Sequence, residues 1–387
     1  MNWSNVFGVT DAMTPDAAQP PAMPPPPVPP SPVRRPVPAS GPREYPQALR
    51  GPRHRWWRPL LGLGVMVACL LLLTGGLLLS VLGYVVAQEL GADLQDPASD
   101  AWLASPVGML VTNLALALGI PLALVAAWAQ AGRAGLVSSV RGRVRWRLLL
   151  GGLALSLPLL VVLVLGSDVL LTELGFPAGD GGTGEELSAD DPGGWPLTPA
   201  SGWIAMTLVV LLSTPLQAAG EEYFFRGWLS QWMGSMLRWR WLALVVPAVV
   251  TALLFALAHG AQSPWLFADR LVFGLLASVL VWRTGGLECA IALHVANNLT
   301  AFGFAIAYDQ LEESLLITEV APLDGAVGVS ITIVTAVVLL WWARRRRPAV
   351  VVSDPAAPVP AGPAPMGPIP TGPVPVGSGR DEGGPTA

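Results

Sequence analysis

Two adjacent glutamates, Glu221 and Glu222, lie at the end of an otherwise apolar stretch of the chain. A charged side chain near the centre of a membrane helix costs roughly 2.5 to 3.5 kcal/mol, so such residues tend to face a cavity and mark function. Two of the three histidines, His259 and His294, lie in the apolar segments that follow. Carboxylates and imidazoles accept protons from water or bind metal ions, so the four residues could together activate a water molecule.

Each of these residues also has a plainer interpretation when it is taken alone. Glu221 and Glu222 could form a solvated helix end, where the cost of the charge mostly vanishes. His259 could be a hydrogen-bonded core histidine, and His294 with Asn298, one turn later, could join two helices. The coincidence of all these residues on consecutive apolar segments favours a single site.

The composition defines the class of protein that must position these residues. The chain of 387 residues is 52% hydrophobic and 12% charged, and its mean hydropathy is +0.55. Soluble domains carry roughly a quarter charged residues. We therefore predict an all-α fold, a polytopic helical bundle in the lipid bilayer of the cell membrane. The net charge of the chain is -4. We expect no nucleic-acid partner.

Apolar segments of the length that crosses a bilayer, roughly 20 residues, occur eight times. The predicted transmembrane helices are 60–87, 106–130, 148–171, 200–220, 241–260, 265–283, 286–307 and 325–343. The fourth segment carries the two glutamates at its end, and the fifth and seventh carry the histidines.

Arginine residues alternate between the predicted loops and so indicate the orientation of the bundle. They cluster before the first segment, between the second and third, after the fourth, and after the last at Arg344–Arg347. The loops 88–105, 172–199 and 308–324 contain acidic residues and no arginine. Since an excess of arginine marks the cytoplasmic side, we expect both termini to be cytoplasmic.

The predicted domain organisation follows from these segments. Residues 1–55 and 348–387 are rich in proline and glycine and are predicted to be disordered cytoplasmic tails. Between them we expect N-terminal transmembrane helices at 56–199, a core with the polar residues at 200–307, and a last transmembrane helix at 308–347. Most tails of this kind are spacers, and docking of their PxxP patterns on a partner is the less common alternative.

Helical spacing predicts that Glu222 and His259 lie at the same level. If the fourth helix continues to a turn near Arg238, Glu222 lies 16 residues before that turn, and His259 lies 18 residues after Trp241. At a rise of 1.5 Å per residue, both are about 25 Å from the turn. Glu222 can also form an i,i+4 ion pair with Arg226, which would leave the neighbouring glutamate free for chemistry.

The depth of His294 along its helix does not fit the common level of Glu222 and His259. It lies eight residues after Gly286, about 12 Å into its helix. Bringing it beside His259 requires a tilted helix or a helix broken between Gly260 and Pro264.

The candidate residues form three short motifs with fixed spacings. Glu221 and Glu222 are followed by Arg226, Phe255 precedes His259 by four residues, and His294 precedes Asn298 by four. In this order, on consecutive apolar segments, the residues resemble the CAAX-processing and bacteriocin-processing (CPBP) intramembrane proteases, which are related to the type II CAAX prenyl endopeptidases. The resemblance covers residues 200–305. It implies an all-helical fold, a cavity that is open to the cytoplasm and the membrane, and endopeptidase activity.

The resemblance also implies roles for the motif residues. Glu221 would activate the water, Asn298 and one histidine would stabilise the oxyanion, and the other histidine would position the water. Glu222, Arg226 and Phe255 would support them.

The expected class of enzyme is a metalloprotease, although the residues alone leave the use of a metal open. In a metalloprotease, His259, His294 and Glu221 would bind zinc and leave one position for water. The chain has no HExxH motif, so such a site would need ligands from separate helices.

The substrate class is a membrane-embedded protein or a lipidated, for example prenylated, C-terminal tail. The alternative function is a non-catalytic immunity or scaffold protein of the same fold. A transporter that relays protons through the carboxylates is a third possibility, but no inverted repeat is evident. A serine nucleophile is a weak alternative, because neither Ser213 nor Ser278 lies in a GxSxG-like turn.

Overall fold

Long apolar helices form most of the chain that the structure describes. The computed structural model describes residues 42–51, 54–92, 96–97, 99–176, 199 and 202–352. The helices in chain order are α1 (Arg58–Glu89), α2 (Asp100–Leu103), α3 (Pro106–Ala117), α4 (Gly119–Ala131), α5 (Trp146–Glu173), α6 (Trp203–Glu222), α7 (Ser230–Met236), α8 (Arg240–Leu257), α9 (Pro264–Thr284), α10 (Glu288–Ala307), α11 (Leu311–Leu316) and α12 (Pro322–Arg345). Two short strands are β1 (Arg43–Glu44) and β2 (Val351–Val352).

Eight helical stretches among the described residues are long and apolar enough to cross a membrane. Two of them are composite: α3 and α4 form Pro106–Ala131, and α6 and α7 are joined into Trp203–Met236. The predicted all-α membrane bundle is therefore confirmed. Seven of the predicted segments agree with the observed spans to within about three residues at each end. The fourth continues past its predicted end because the backbone stays helical beyond the two glutamates.

Helix α10 forms the centre of the bundle. It contacts α5, α6, α9 and α12, and 61% of its most apolar stretch is buried, against 6% for α1. Every residue from Glu288 to Ala296 is buried. His294 therefore lies in the protein interior and not on the surface that faces lipid.

Two glycines let α6 approach the junction of α3 and α4 closely. A Cβ atom on Gly220 would lie 2.2 Å from the carbonyl oxygen of Leu116, and one on Gly119 would lie 2.4 Å from the carbonyl oxygen of Gly220. Nearby, Asn113 Nδ2 donates to Ser213 Oγ over 2.8 Å. These contacts hold the backbone immediately before Glu221 against a second helix.

The turn between α9 and α10 is recessed into the protein. Arg145, in the loop before α5, donates to both carboxylate oxygens of Glu288 over 2.9 and 2.6 Å, and Glu288 is 1% exposed. The same guanidinium donates to the carbonyl oxygen of Thr284 over 2.8 Å. Gly285 takes a left-handed conformation with φ of 70° and packs against Ala349. Helix α10 consequently begins inside the protein and not at its surface.

Residues from both ends of the described chain form a small clasp, which consists of residues 43–47 and 351–352. Strand β1 pairs with β2 in antiparallel register, Arg43 with Val352 and Glu44 with Val351. The Tyr45 side chain is completely buried, and its hydroxyl donates to the carbonyl oxygen of Val137.

The clasp corrects the predicted tail boundaries. The prediction of disorder over 1–55 and 348–387 is wrong for the clasp residues, because buried Tyr45 and the strand pairing fix them. Residues 1–41 and 353–387, which include the PxxP patterns, lie outside the described residues.

An ion pair fixes the clasp to the start of α8. Glu44 accepts hydrogen bonds from Arg240 over 2.8 and 2.9 Å and from Trp282 Nε1 over 3.2 Å. Partial burial acts to raise the pKa of Glu44, but the hydrogen bonds from Arg240 and Trp282 outweigh it, so the pKa lies below its usual range. The carboxylate form of Glu44 is therefore the one that the clasp stabilises.

Candidate active site

The residues of the candidate site come from three parts of the bundle. Glu221 and Glu222 end α6, and a π-helical segment, Tyr223–Leu229, follows them and carries Arg226. Phe255 lies on α8 with His259 in the turn that follows it, and His294 and Asn298 lie on α10. π-Helical turns inside longer helices occur frequently at functional sites, and this one begins directly after the two carboxylates.

Glu222 is completely buried and connects two of these parts. Its Oε1 atom accepts from Arg226 Nη1 over 2.9 Å, which is the predicted i,i+4 ion pair. The same oxygen lies 3.0 Å from His294 Nδ1, on a helix 72 positions further along the chain. Arg226 is 1% exposed, so the pair is shielded from solvent on both sides. Glu222 thus neutralises a buried guanidinium and orients an imidazole.

Glu221 is the more accessible of the two carboxylates. Its side chain is 14% exposed, against 0% for Glu222. Its Oε1 accepts from Gln217 Nε2 over 2.6 Å, and its Oε2 lies 3.7 Å from His294 Nε2. A separation of 3.7 Å is too long for a direct hydrogen bond. Glu221 therefore keeps one oxygen available beside an imidazole nitrogen.

Gln217 belongs to the site, although none of the three motifs contains it. Its Nε2 donates to Glu221, and its Oε1 accepts from Asn298 Nδ2 over 3.1 Å. The side chain is largely buried, at 7% exposed. The signal that could have identified it is its position four residues before Glu221, on the same face of an apolar helix.

His259 joins the cluster through Phe255. Helix α8 ends at Leu257 and α9 begins at Pro264, so the chain is broken where His259 lies, with Gly260 in a left-handed conformation at φ of 79°. The Phe255 ring centroid is 4.8 Å from the ring of His259 and 5.7 Å from the ring of His294. His259 is the exposed member of the group. The structure thus brings Glu221, Glu222 and His294 together directly. Asn298 joins them through Gln217, and His259 lies at their edge.

The hydrogen bonds determine which nitrogen of each imidazole is protonated. His259 Nδ1 lies 2.8 Å from the carbonyl oxygen of Phe255, which only accepts, so Nδ1 donates. His294 Nδ1 donates to the carboxylate of Glu222 in the same way. In both neutral imidazoles the lone pair is therefore on Nε2, and on His294 this atom faces Glu221.

The carboxylates and imidazoles of the site are also the side chains that bind zinc in proteins. Within the described part of the chain, no three His, Cys, Asp or Glu side chains are grouped so that they could hold a metal ion. One carboxylate of the cluster, Glu222, is already bound to Arg226, and Nδ1 of His259 is bound to the carbonyl oxygen of Phe255. The side chains as placed do not form the predicted ligand set of His259, His294 and Glu221.

The fold and the site define a class, a multi-pass helical membrane protein with a buried carboxylate and histidine cluster. Residues 201–300 match the family model of the type II CAAX prenyl endopeptidases, described as Rce1-like. The matched range contains every residue of the three motifs. The resemblance of this segment to the type II CAAX prenyl endopeptidase family is thereby confirmed, and the broader assignment to the CPBP proteases stays a prediction.

Comparison with curated proteins gives one further relative. The uncharacterized protein YyaK of Bacillus subtilis (strain 168) is 33% identical over 104 residues, which are 26% of this chain and 34% of the relative. The alignment thus spans about a third of the length of that relative. No solved structure matches the chain.

Proposed function

We propose that this protein is an intramembrane endopeptidase in which Glu221 activates water to hydrolyse a peptide bond. The observation that carries the proposal is the placement of His294 between the two glutamates, with Nδ1 on Glu222 and Nε2 facing Glu221. One carboxylate is buried and neutralised, and the other is accessible. Two adjacent carboxylates with separate environments are suited to separate roles, one structural and one chemical.

Glu221 acts as the general base in this proposal. A water molecule beside its Oε2 contacts His294 Nε2 as well, because the two atoms are 3.7 Å apart. The water gives a proton to Glu221 while its oxygen attacks the carbonyl carbon of the scissile bond. The C–N bond then breaks, and the proton held by Glu221 passes to the leaving nitrogen. Gln217 fixes the base by donating to its other oxygen.

Asn298 and His259 stabilise the oxyanion. Asn298 uses one N–H of its amide for Gln217, which leaves the second N–H to donate to a developing negative charge. His259 has its lone pair on Nε2 when neutral, so it donates to the oxyanion only in its protonated form. His294 is left with the task of positioning the water.

The substrate class in this proposal is a membrane-associated protein or a lipidated C-terminal tail. It is supported by the family match and by the burial of the site within a bundle of membrane-spanning helices. We propose that both termini are cytoplasmic, since an excess of arginine marks that side of the membrane. Arginines of two of the arginine-rich loops support this orientation: Arg240 donates to Glu44 of the clasp, and Arg145 donates to the carbonyl oxygen of Ala349.

A zinc-dependent version of the same site is the second candidate. One observation favours it: both histidines use Nδ1 in a hydrogen bond and leave Nε2 free, as metal-bound histidines commonly do. Zinc would supply Lewis acidity to the water. It would require Glu221, His259 and His294 to converge more closely than they do here.

The test is cleavage of membrane-anchored fluorescent reporter peptides, prenylated and unprenylated, by purified full-length protein. Glu221→Gln, His294→Ala and Asn298→Ala are compared with Leu253→Ala, a control on the outer surface of α8. We expect cleavage by wild type and the control and loss in the other three. Reporter binding without turnover by wild type would support the non-catalytic scaffold instead. Equal turnover in Glu221→Gln would remove the proposed base.

A further inference from the structure

The last membrane helix, α12, carries a groove on its outer face near its arginine-rich end. The groove measures about 400 Å³, and five residues of α12 line it: Val337, Leu340, Trp341, Arg344 and Arg345. Spacings of three and four residues place all five on one face of the helix. No other element of the described chain contributes to the lining, so an occupant from outside it would form the facing wall.

The groove runs from the arginine-rich end of the bundle into the apolar part of α12. Val337 lies eight residues before Arg345, which corresponds to about 12 Å along the helix. One leaflet contributes about 15 Å of the hydrocarbon thickness of a bilayer. The Val337 and Trp341 side chains are 58% and 55% exposed, so they face lipid. The groove therefore combines charged groups at the depth of the lipid headgroups with apolar side chains at the depth of the acyl chains.

Trp341 holds Arg345 in an orientation suited to an anion. The guanidinium carbon of Arg345 lies 4.0 Å from the centroid of the Trp341 ring, which is a cation–π contact. Such stacking uses the face of the guanidinium and leaves the N–H groups at its edge able to donate. Paired N–H groups of this kind match two oxygens of a phosphate. Arg344, the next residue back along the helix, adds a second guanidinium to the same groove.

The charges of Arg344 and Arg345 are not neutralised within the part of the chain that the structure describes, where neither forms an ion pair. Arg240 offers a contrast at the same end of the bundle. It lies over Trp241 at 4.5 Å, but its guanidinium donates to Glu44. Two guanidinium groups without an acidic partner attract an anionic headgroup, whereas they repel the ammonium group of a zwitterionic one.

We propose that this groove binds an anionic phospholipid, whose phosphate accepts hydrogen bonds from Arg344 and Arg345 and whose acyl chain lies against Val337 and Leu340. The lipid belongs to the leaflet at the arginine-rich end of the bundle. Helix α12 contacts α5, α9 and α10, so a lipid that binds the folded state stabilises the bundle by mass action. This inference goes beyond the proposed protease and does not depend on it.

The test uses purified full-length protein in mixed micelles with a phosphatidylglycerol that carries a photoactivatable diazirine on its acyl chain. Mass spectrometry locates the labelled residues. The double variant Arg344→Gln with Arg345→Gln removes two charges from the groove. The double variant Arg346→Gln with Arg347→Gln removes the same charge from adjacent exposed positions outside the lining, so it is the matched control.

We expect the label on Val337, Leu340 or Trp341. The groove variant should weaken lipid binding about fivefold for each arginine, because an arginine near an anionic lipid surface contributes about 1 kcal/mol. The control variant should retain most of the binding, because it keeps both groups that contact the phosphate. Equal losses in the two variants would show a diffuse attraction to the arginine-rich end and overturn the proposal. Labels away from the groove would overturn it as well.

A second pair of variants tests the apolar part of the groove without changing any charge. Val337→Trp fills the groove and should lower labelling, whereas Val334→Trp, at an exposed position one turn deeper, should not. Phosphatidylglycerol should also raise the unfolding temperature of wild type more than that of the arginine groove variant. Unchanged labelling in Val337→Trp, in protein that unfolds at the temperature of wild type without lipid, would contradict binding in the groove.

Three further measurements distinguish the lipid from other occupants. Equal labelling by a phosphatidylcholine probe would remove the role of the headgroup charge. Competition by soluble glycerol phosphate at the concentration of the lipid would assign the groove to a free phosphate. Crosslinks between two copies of the chain through α12 would assign it to self-association. Each of these results would overturn the proposal, and none of them depends on cleavage of a reporter.

Discussion

The imidazole of His294 donates from Nδ1 to Oε1 of Glu222 across 3.0 Å, although the two residues are 72 positions apart in the chain. The same imidazole presents Nε2 to Oε2 of Glu221 at 3.7 Å. His294 therefore lies beside both carboxylates. Substitutions of Glu221 and of Glu222 should have different effects on activity and stability, because only Glu222 is paired with a buried arginine.

Replacing Glu221 with glutamine should abolish cleavage and preserve the fold. The amide cannot accept the proton from water, so we expect a loss of about 10²- to 10⁴-fold in turnover, typical of a general base. Glutamine keeps the size of the side chain and a hydrogen bond to Gln217, so stability should change by less than about 1 kcal/mol. Reporter cleavage and unfolding in mixed detergent micelles measure the two effects. A loss of activity accompanied by unfolding would instead assign Glu221 a structural role.

Replacing Glu222 with glutamine should destabilise the protein. Arg226 would remain buried without its carboxylate, and breaking a buried ion pair on one side costs about 3 to 5 kcal/mol. The double variant Glu222→Leu with Arg226→Met removes both charges and should recover most of that stability. The stabilities of the single and the double variant are compared by unfolding both in detergent micelles. If Glu222→Gln were as stable as wild type, the ion pair between Glu222 and Arg226 would have no structural role.

Replacing Gly220 with alanine should separate α6 from the junction of α3 and α4. The added methyl would lie 2.2 Å from the carbonyl oxygen of Leu116, so the backbone must move, at a cost of about 1 to 3 kcal/mol. Gly303→Ala in α10 is the matched control, because no atom lies within 4 Å of a Cβ there. It should be neutral or stabilising by about 1 kcal/mol, since alanine favours the helix. Equal stability of the two variants would contradict the close approach.

Removing metal ions should leave the activity unchanged if the water is activated by Glu221 alone. We expect a chelator to have no effect on reporter cleavage and elemental analysis to find no stoichiometric zinc in active protein. This follows from the proposed role of Glu221, whose Oε2 atom lies beside His294 Nε2 and accepts a proton from water without a metal ion. Inactivation by the chelator, reversed by zinc and altered in His259→Ala, would establish the metal version of the site.

Acid should release the clasp. The pKa of Glu44 is lowered in the folded protein, so its carboxylate stabilises the clasp above the pKa of the unfolded chain, and this contribution is lost as pH falls through the folded pKa. Glu44→Gln should mimic acid at neutral pH by weakening the contact with Arg240. Faster hydrogen exchange of residues 43–50 in the variant, with unchanged exchange in α10, is the expected result. Unchanged exchange in the clasp would show that Tyr45 alone fixes it.

Several features of this protein were determined by short stretches of sequence. Each membrane span is a continuous apolar run, and a helix that satisfies its own backbone is the structure available to it in lipid. The ion pair between Glu222 and Arg226 depends on a spacing of four residues, which a helix converts directly into proximity. The three motifs sufficed to predict the resemblance to the family, and the family model matches the segment that contains them.

The depth of His294 in the helical bundle was decided by tertiary structure. Spacing from Gly286 alone placed it too shallow in the bundle, whereas the whole turn is recessed because Arg145 binds Glu288, 143 positions away in the chain. Gln217 joined the site only because Asn298 lies opposite on another helix. The order of residues 42–51 likewise arose from burial of Tyr45 against a distant loop. Periodicity and spacing describe one helix at a time, whereas these contacts depend on how separate helices pack.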